Sequence, residues 1–156
     1  MQTYHDPDLQ LSLQLPEGWE TTHIEPFALV LLAPPQDLFR PNITFRLKSL
    51  SSATPEEFDL TIRAAQQEHQ MSYKDYMLLE SNKFFQDGFP AYFSLYHWTA
   101  DHTDDPLSQF FVLILRSPER LYSIYGSMLR PQEASFLPII QDIIRSISFS
   151  DDNKQD

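Results

Sequence analysis

Two neighbouring stretches, Ala91 to Thr99 and Ser108 to Arg116, are apolar at most positions, and this constrains the fold more than anything else in the chain. Successive side chains of an extended strand point to opposite faces. Phe93 and Leu95 therefore share one face, while Tyr92, Tyr96 and Trp98 share the other. In the second stretch Phe110, Val112 and Ile114 oppose Phe111, Leu113 and Leu115. A sheet whose centre is apolar on both faces needs cover on both, so the chain must build layers.

The surrounding sequence supplies more strands and two helices. Asp75 to Phe85 runs through Asp87-Gly88, a favoured hairpin turn, into Ala91 to Thr99. Asp101 to Pro106 and Ser117-Pro118-Glu119 make the next turns, the second leading into Leu121 to Gly126. Short turns between consecutive strands imply antiparallel pairing. Nearer the start, Leu9, Leu11, Leu13 and Leu15 alternate with Gln10, Ser12 and Gln14, and Pro16-Glu17-Gly18 breaks the run. Phe27 to Ala33 is continuously apolar, which predicts a strand covered on both faces. Asn42 to Leu47 alternates again.

Thr54-Pro55-Glu56-Glu57 marks a helix start. Thr54 can cap free amides, Pro55 suits the first helical position, and Glu57 can complete a capping box. Phe58, Ile62 and Ala65 recur at helical spacing, predicting a helix from Thr54 to about His69. A closing helix begins between Gln132 and Ser135 and runs to about Ser146, with Phe136, Ile139, Ile140, Ile143 and Ile144 as its apolar stripe. Pro138 is tolerable near the first turn, which favours the later start. The expected fold class is α+β: an antiparallel sheet of about six strands flanked by helices. One domain covers 1–149, and a disordered acidic tail covers 150–156.

Charge and composition exclude several functions. The formal charge is −11, from 22 acidic against 11 basic side chains, and the basic residues are scattered. Nucleic acid and anionic membranes require a basic stripe, so neither is an expected partner. The absence of cysteine removes disulfides, thiol nucleophiles and cysteine–zinc sites. The start, MQTYHDPDLQ, lacks the pattern of a signal peptide, and no apolar run is long enough to span a bilayer, so a cytoplasmic location is expected. Glycine occurs three times only, which leaves no phosphate-cradling loop and no dinucleotide fingerprint.

Two places could hide chemistry. Asp101-His102-Thr103-Asp104-Asp105 offers carboxylates and an imidazole, but its spacing fits no EF-hand and reads as a solvated turn with no metal. His97, beside Trp98 in an apolar strand, could act as a general base if a suitable partner faced it, or simply pack and make one hydrogen bond. His5, His23 and His69 show no partner in the sequence. No catalytic residue and no cofactor are expected.

Three passages, LQLSLQLPEGWE, FRPNITFRLKSL and LLESNKFFQDGFPAYFSLYHW, together resemble the PsbP-like superfamily. The shared features are an alternating strand into Leu-Pro-x-Gly-Trp, a later Pro-Asn strand and an Asp-Gly hairpin. The resemblance implies an antiparallel sheet flanked by helices in a PsbP-like α/β sandwich, and a mostly non-enzymatic role. Members include photosystem accessory proteins, a nuclear Ran-binding factor, DcrB- and LpqN-like lipoproteins, and the Eag chaperones of type VI secretion. Among bacterial members, the lack of a lipobox cysteine leaves a soluble cytoplasmic branch, of which the dimeric Eag chaperones are an example, although Glu20 to Ile24 departs from their pattern. No ligand residue carries over.

The expectation is therefore a non-enzymatic adaptor or chaperone for a protein partner, with secretion effectors as one class of client and a homodimer as one arrangement. A structural accessory subunit is the alternative, and a hydrolase with an unrecognised site comes third. The aromatic face of Tyr92, Tyr96 and Trp98 is the candidate partner-binding surface, because tyrosine and tryptophan are favoured there. It serves that role only if the chain's own helices and N-terminal strands leave it open.

Overall fold

The structure, a computed structural model, describes residues 1–150. They form strands β1 (Gln2–Asp6), β2 (Leu11–Leu15), β3 (Glu20–Thr22), β4 (Leu29–Leu32) and β5 (Asn42–Lys48). Helix α1 (Pro55–Ser72) follows. Then come β6 (Lys74–Gln86), β7 (Phe89–Thr99), β8 (Pro106–Ser117) and β9 (Arg120–Leu129). A 3₁₀ turn, Arg130–Gln132, leads into α2 (Glu133–Arg145), and β10 (Ser148–Phe149) ends the described chain. Seven strands make one sheet in the order β3-β4-β5-β9-β8-β7-β6, and three make a small second sheet, β1-β2-β10. Every pairing is antiparallel.

The two apolar faces at the sheet centre are covered from opposite sides. On one, Phe110, Val112, Ile114, Tyr122 and Ile124 pack against the isoleucines of α2 and the leucines of β2. On the other, Tyr92, Tyr96, Phe111 and Leu113 pack beneath Phe58 and Ile62 of α1. The helices therefore do not share a side. The three-stranded sheet completes the cover on the α2 side, because Leu11, Leu13 and Leu15 all turn inward there.

Thr54 caps α1 as its sequence suggests: its hydroxyl accepts from the Glu57 amide at 3.2 Å. The Glu57 carboxylate accepts from the Ser51 hydroxyl at 3.2 Å. The helix runs one turn past His69, until Tyr73 turns extended with its amide on the His69 carbonyl at 3.0 Å. Helix α2 starts earlier than Pro138 suggests, at Glu133 after the 3₁₀ turn, so the proline sits in its second turn. Pro138 and Ala134, whose carbonyl loses its helical donor there, are both exposed, and water can take the place of the missing amide.

The Leu9–Leu15 alternation proves to be a turn followed by a strand. Gln10 adopts φ 54°, and Leu9 is buried with its amide on Asp6 Oδ1 at 3.0 Å. Gly126 lies under α2, where a Cβ would meet Ile140 Cγ2 at 2.5 Å. The expected tail lies outside the described residues except for Ser150, whose amide bonds to the Gln10 carbonyl at 2.9 Å.

Candidate protein-binding surface

Among the described residues, strand β6 closes one end of the large sheet and pairs only with β7. At 13 residues it is more than twice the usual strand length of about 5–6 residues. Its backbone directions follow from the turn. Asp87 and Gly88 have φ 50° and 84°, a type I′ hairpin loop flanked by Gln86 and Phe89. The flanking pair exchanges both ladder hydrogen bonds, and alternate pairs do so from there on. Ser81, Lys83 and Phe85 therefore turn their N–H and C=O groups outward. Pro90, opposite Phe85, fits because that pair needs no N–H from it. The outward Lys83 amide is met by its own neighbour, Asn82 Oδ1, at 2.9 Å.

This edge is apolar at both ends. Met77, Leu78 and Leu79 are exposed at one, and Phe85, 75% exposed, stands at the other. Phe84 and Phe85 separate two clefts on opposite faces of the sheet. The one on the α2 side, about 510 Å³, is lined by Glu80, Phe93, Phe110, Ile144 and Arg145. The one on the α1 side, about 520 Å³, is lined by Ala53, Pro55, Phe58, Pro90 and Leu115, with the Lys83–Asp59 ion pair beside them. The register breaks between Lys74 and Met77 and between Leu78 and Glu80. Bulges and lysines of this kind are how proteins restrain an open edge from indiscriminate pairing. From Glu80 to Gln86 the register is continuous, so that stretch can accept another strand.

The aromatic residues that the sequence singles out do share a face. Tyr92 and Tyr96 are buried by α1, with the Tyr92 hydroxyl accepting from Gln66 Nε2 at 2.9 Å. Tyr96 Oη donates to Gln109 Oε1 at 2.8 Å, and Trp98 Nε1 donates to the same oxygen at 3.0 Å. Trp98 is partly exposed and stacked on Tyr73, with ring centroids 4.2 Å apart. Of the three, only Trp98 reaches the surface.

His97 Nε2 lies 2.9 Å from Glu133 Oε1, and the Ser108 hydroxyl donates to that same oxygen at 2.6 Å. Burial works against the Glu133 carboxylate, yet these two hydrogen bonds hold its pKa below the ordinary value. The serine proton goes to the carboxylate and not to His97, so the trio ties β7 and β8 to the start of α2. In the Asp101–Asp105 loop the Asp104 carboxylate is taken by Lys74 at 3.1 Å, and Ala100 bonds with Asp104 and Asp105 across the turn. His5 meets Ser12 at 2.9 Å, and His23 lies 3.5 Å from Asp6.

His69 was not singled out by the sequence, yet it is buried among the rings of Tyr73, Tyr96, Phe111 and Tyr125. Its Nε2 lies 2.8 Å from the Tyr125 hydroxyl. Burial lowers its pKa to about 4, so the imidazole is neutral at pH 7. The signal was spacing: Phe58, Ile62, Ala65 and His69 form one helical stripe. The edge had a signal too, since Met77-Leu78-Leu79 breaks the alternation that a half-buried strand would keep.

A large antiparallel sheet between one helix and a helix with a small sheet defines the class of fold: a PsbP-like α+β sandwich. The same fold is found in solved structures that cover nearly the whole chain. Cyanobacterial PsbP (CyanoP) from Synechocystis sp. PCC 6803 matches with TM-score 0.69 and 13% identity, over 95% of this chain and 91% of that one. LpqN of Mycobacterium tuberculosis, involved in cell envelope biogenesis, matches with TM-score 0.72 and 10% identity, over 96% and 90%. The Saccharomyces cerevisiae Ran-binding protein Mog1p matches with TM-score 0.65 and 12% identity, over 97% and 96%. No protein-family model and no curated protein matches the sequence. At these identities the likeness is one of fold.

Proposed function

We propose that this chain is a non-catalytic adaptor or chaperone that holds a protein partner along the β6 edge. The observation that carries the reading is the outward backbone of Ser81, Lys83 and Phe85, with a cleft on each face of the sheet beside it. An extended segment added there gains main-chain hydrogen bonds, and its alternate side chains enter the two clefts, which gives selectivity. The fold is compatible with such a role, since Mog1p is described as Ran-binding. In its narrower form the client is an apolar segment of a bacterial secretion effector, sheltered by Met77, Leu78, Leu79 and Phe85. A second copy of the chain pairing through the same edge would give a homodimer with one self-complementary interface. The Tyr92, Tyr96 and Trp98 face contributes through Trp98 unless α1 moves.

The double variant Leu78→Lys, Phe85→Lys tests the reading in affinity capture from native cells. Both side chains are exposed, so melting should stay within a degree or two of the parent, as for surface changes of about 0.5 kcal/mol or less. The protein captured by the parent chain should be lost from the variant. Equal recovery by a folded variant contradicts the proposal.

A further inference from the structure

A second concave site lies on the α1 face of the sheet, across the helix from the β6 edge. There β5, β9 and the start of β8 emerge from beneath α1 and floor a cleft of about 510 Å³. Phe27, Phe39, Tyr73 and Tyr125 give the cleft its aromatic lining. All four rings are half-buried. Arg46 and Lys48 rise from alternate positions of β5 on this face, and Glu68 is the acidic side chain of the lining. A chain of net charge −11 thus places two cations against one carboxylate in a single cleft.

The polar groups of this cleft are largely unused. The Arg46 guanidinium lies over the Phe27 ring, its Cζ 4.9 Å from the centroid. Among the described residues neither Arg46 nor Lys48 has a hydrogen bond or ion pair from its side chain, and the hydroxyls of Thr44 and Ser123 have no hydrogen-bond partner. Ser127 Oγ accepts from Gln109 Nε2 at 2.9 Å and keeps its own proton to donate. The Tyr125 ring is fixed by its bond to His69. A guanidinium seated beside an aromatic ring is suited to carboxylate recognition, because its paired N–H groups match the two oxygens. The aromatic lining suits a flat apolar body, and the volume lies in the range of small-ligand sites, about 300–1,000 Å³.

We infer that this cleft binds a small organic carboxylate, with the carboxylate on Arg46 and Lys48, the apolar body against the aromatic lining, and hydroxyl donors from Thr44 and Ser127 below. Sodium benzoate is the probe. In amide chemical-shift titrations at fixed ionic strength it should give saturable shifts confined to 42–48, 123–127 and the α1 end near Glu68. Neutral benzamide should bind at least about tenfold more weakly, as the loss of a charge-assisted pair implies. Arg46→Gln should weaken benzoate by a similar factor, leave benzamide unchanged and leave melting unchanged. Equal binding of benzoate and benzamide, benzoate shifts elsewhere on the molecule, or undiminished binding to Arg46→Gln would each overturn the proposal. So would a glutamate-rich peptide that shifts these amides when benzoate does not, since the cleft would then be a docking surface for acidic protein.

Discussion

His69 connects a single residue to the stability of the whole chain. Sealed among four aromatic rings, its imidazole is neutral, and burial holds its pKa near 4 against 6.5 in the ordinary case. Between those values the unfolded chain binds the proton and the folded chain does not, so stability must fall as pH drops through that window. The loss reaches up to about 3 kcal/mol at about 1.4 kcal/mol per pKa unit. Chemical denaturation of the parent and of His69→Gln, which cannot titrate, should give curves that converge as pH falls from 6.5 to 4. Parallel curves would mean that the imidazole stays solvated. Gly126 makes a steric counterpart: a Cβ there meets Ile140 Cγ2 at 2.5 Å. Gly126→Ala should lower stability by about 1–3 kcal/mol, the usual range for overpacking, and a thermal melt reads it directly. The sequence put His69 at the end of α1 with no visible partner and could not reveal the rings around it, which come from β7, β8, β9 and the turn after α1. Gly126 could not be read at all, because its neighbour lies 14 positions away on another element.

Among the elements, those that alternate or carry a cap were legible. Thr54-Pro55-Glu56-Glu57 located α1, β2 and β5 announced themselves by period two, and β4, β7 and β8 by runs apolar on both faces. β1, β3 and β10 did not, being short, with Asp6 their one fully buried residue. Helix α2 was located by its isoleucine stripe but started early, since an exposed proline in the second turn costs less than one facing the core. That stripe has a measurable weight. Ile143 is 1% exposed between α2 and the sheet, so Ile143→Ala should cost about 2–5 kcal/mol in equilibrium unfolding. A cost below about 1 kcal/mol would show that α2 packs loosely. Thr54→Ala removes the cap and should cost about 1 kcal/mol.

At the scale of the molecule, the demand for cover on both faces was written in Tyr92 to Trp98 and Phe110 to Leu115. Which helix covers which face was not, because sidedness depends on how the chain crosses the sheet. α1 follows β5 and returns at β6, and so lies over the aromatic side, while the leucines of β2 join α2 on the other. Nor could the sequence show that β6 would be left at the edge, since strand order is a property of the assembled sheet. That edge carries the functional reading, and hydrogen exchange tests it most directly. In the free protein the outward amides of Ser81 and Phe85, and that of Lys83, which meets only the exposed Asn82 side chain, should exchange faster than those of Asn82, Phe84 and Gln86, which bond to β7. In the purified complex with the captured partner, those three outward amides should slow at least about tenfold, as ladder hydrogen bonds form along the edge. Unchanged exchange at Ser81, Lys83 and Phe85, with protection appearing on another surface, would contradict the account.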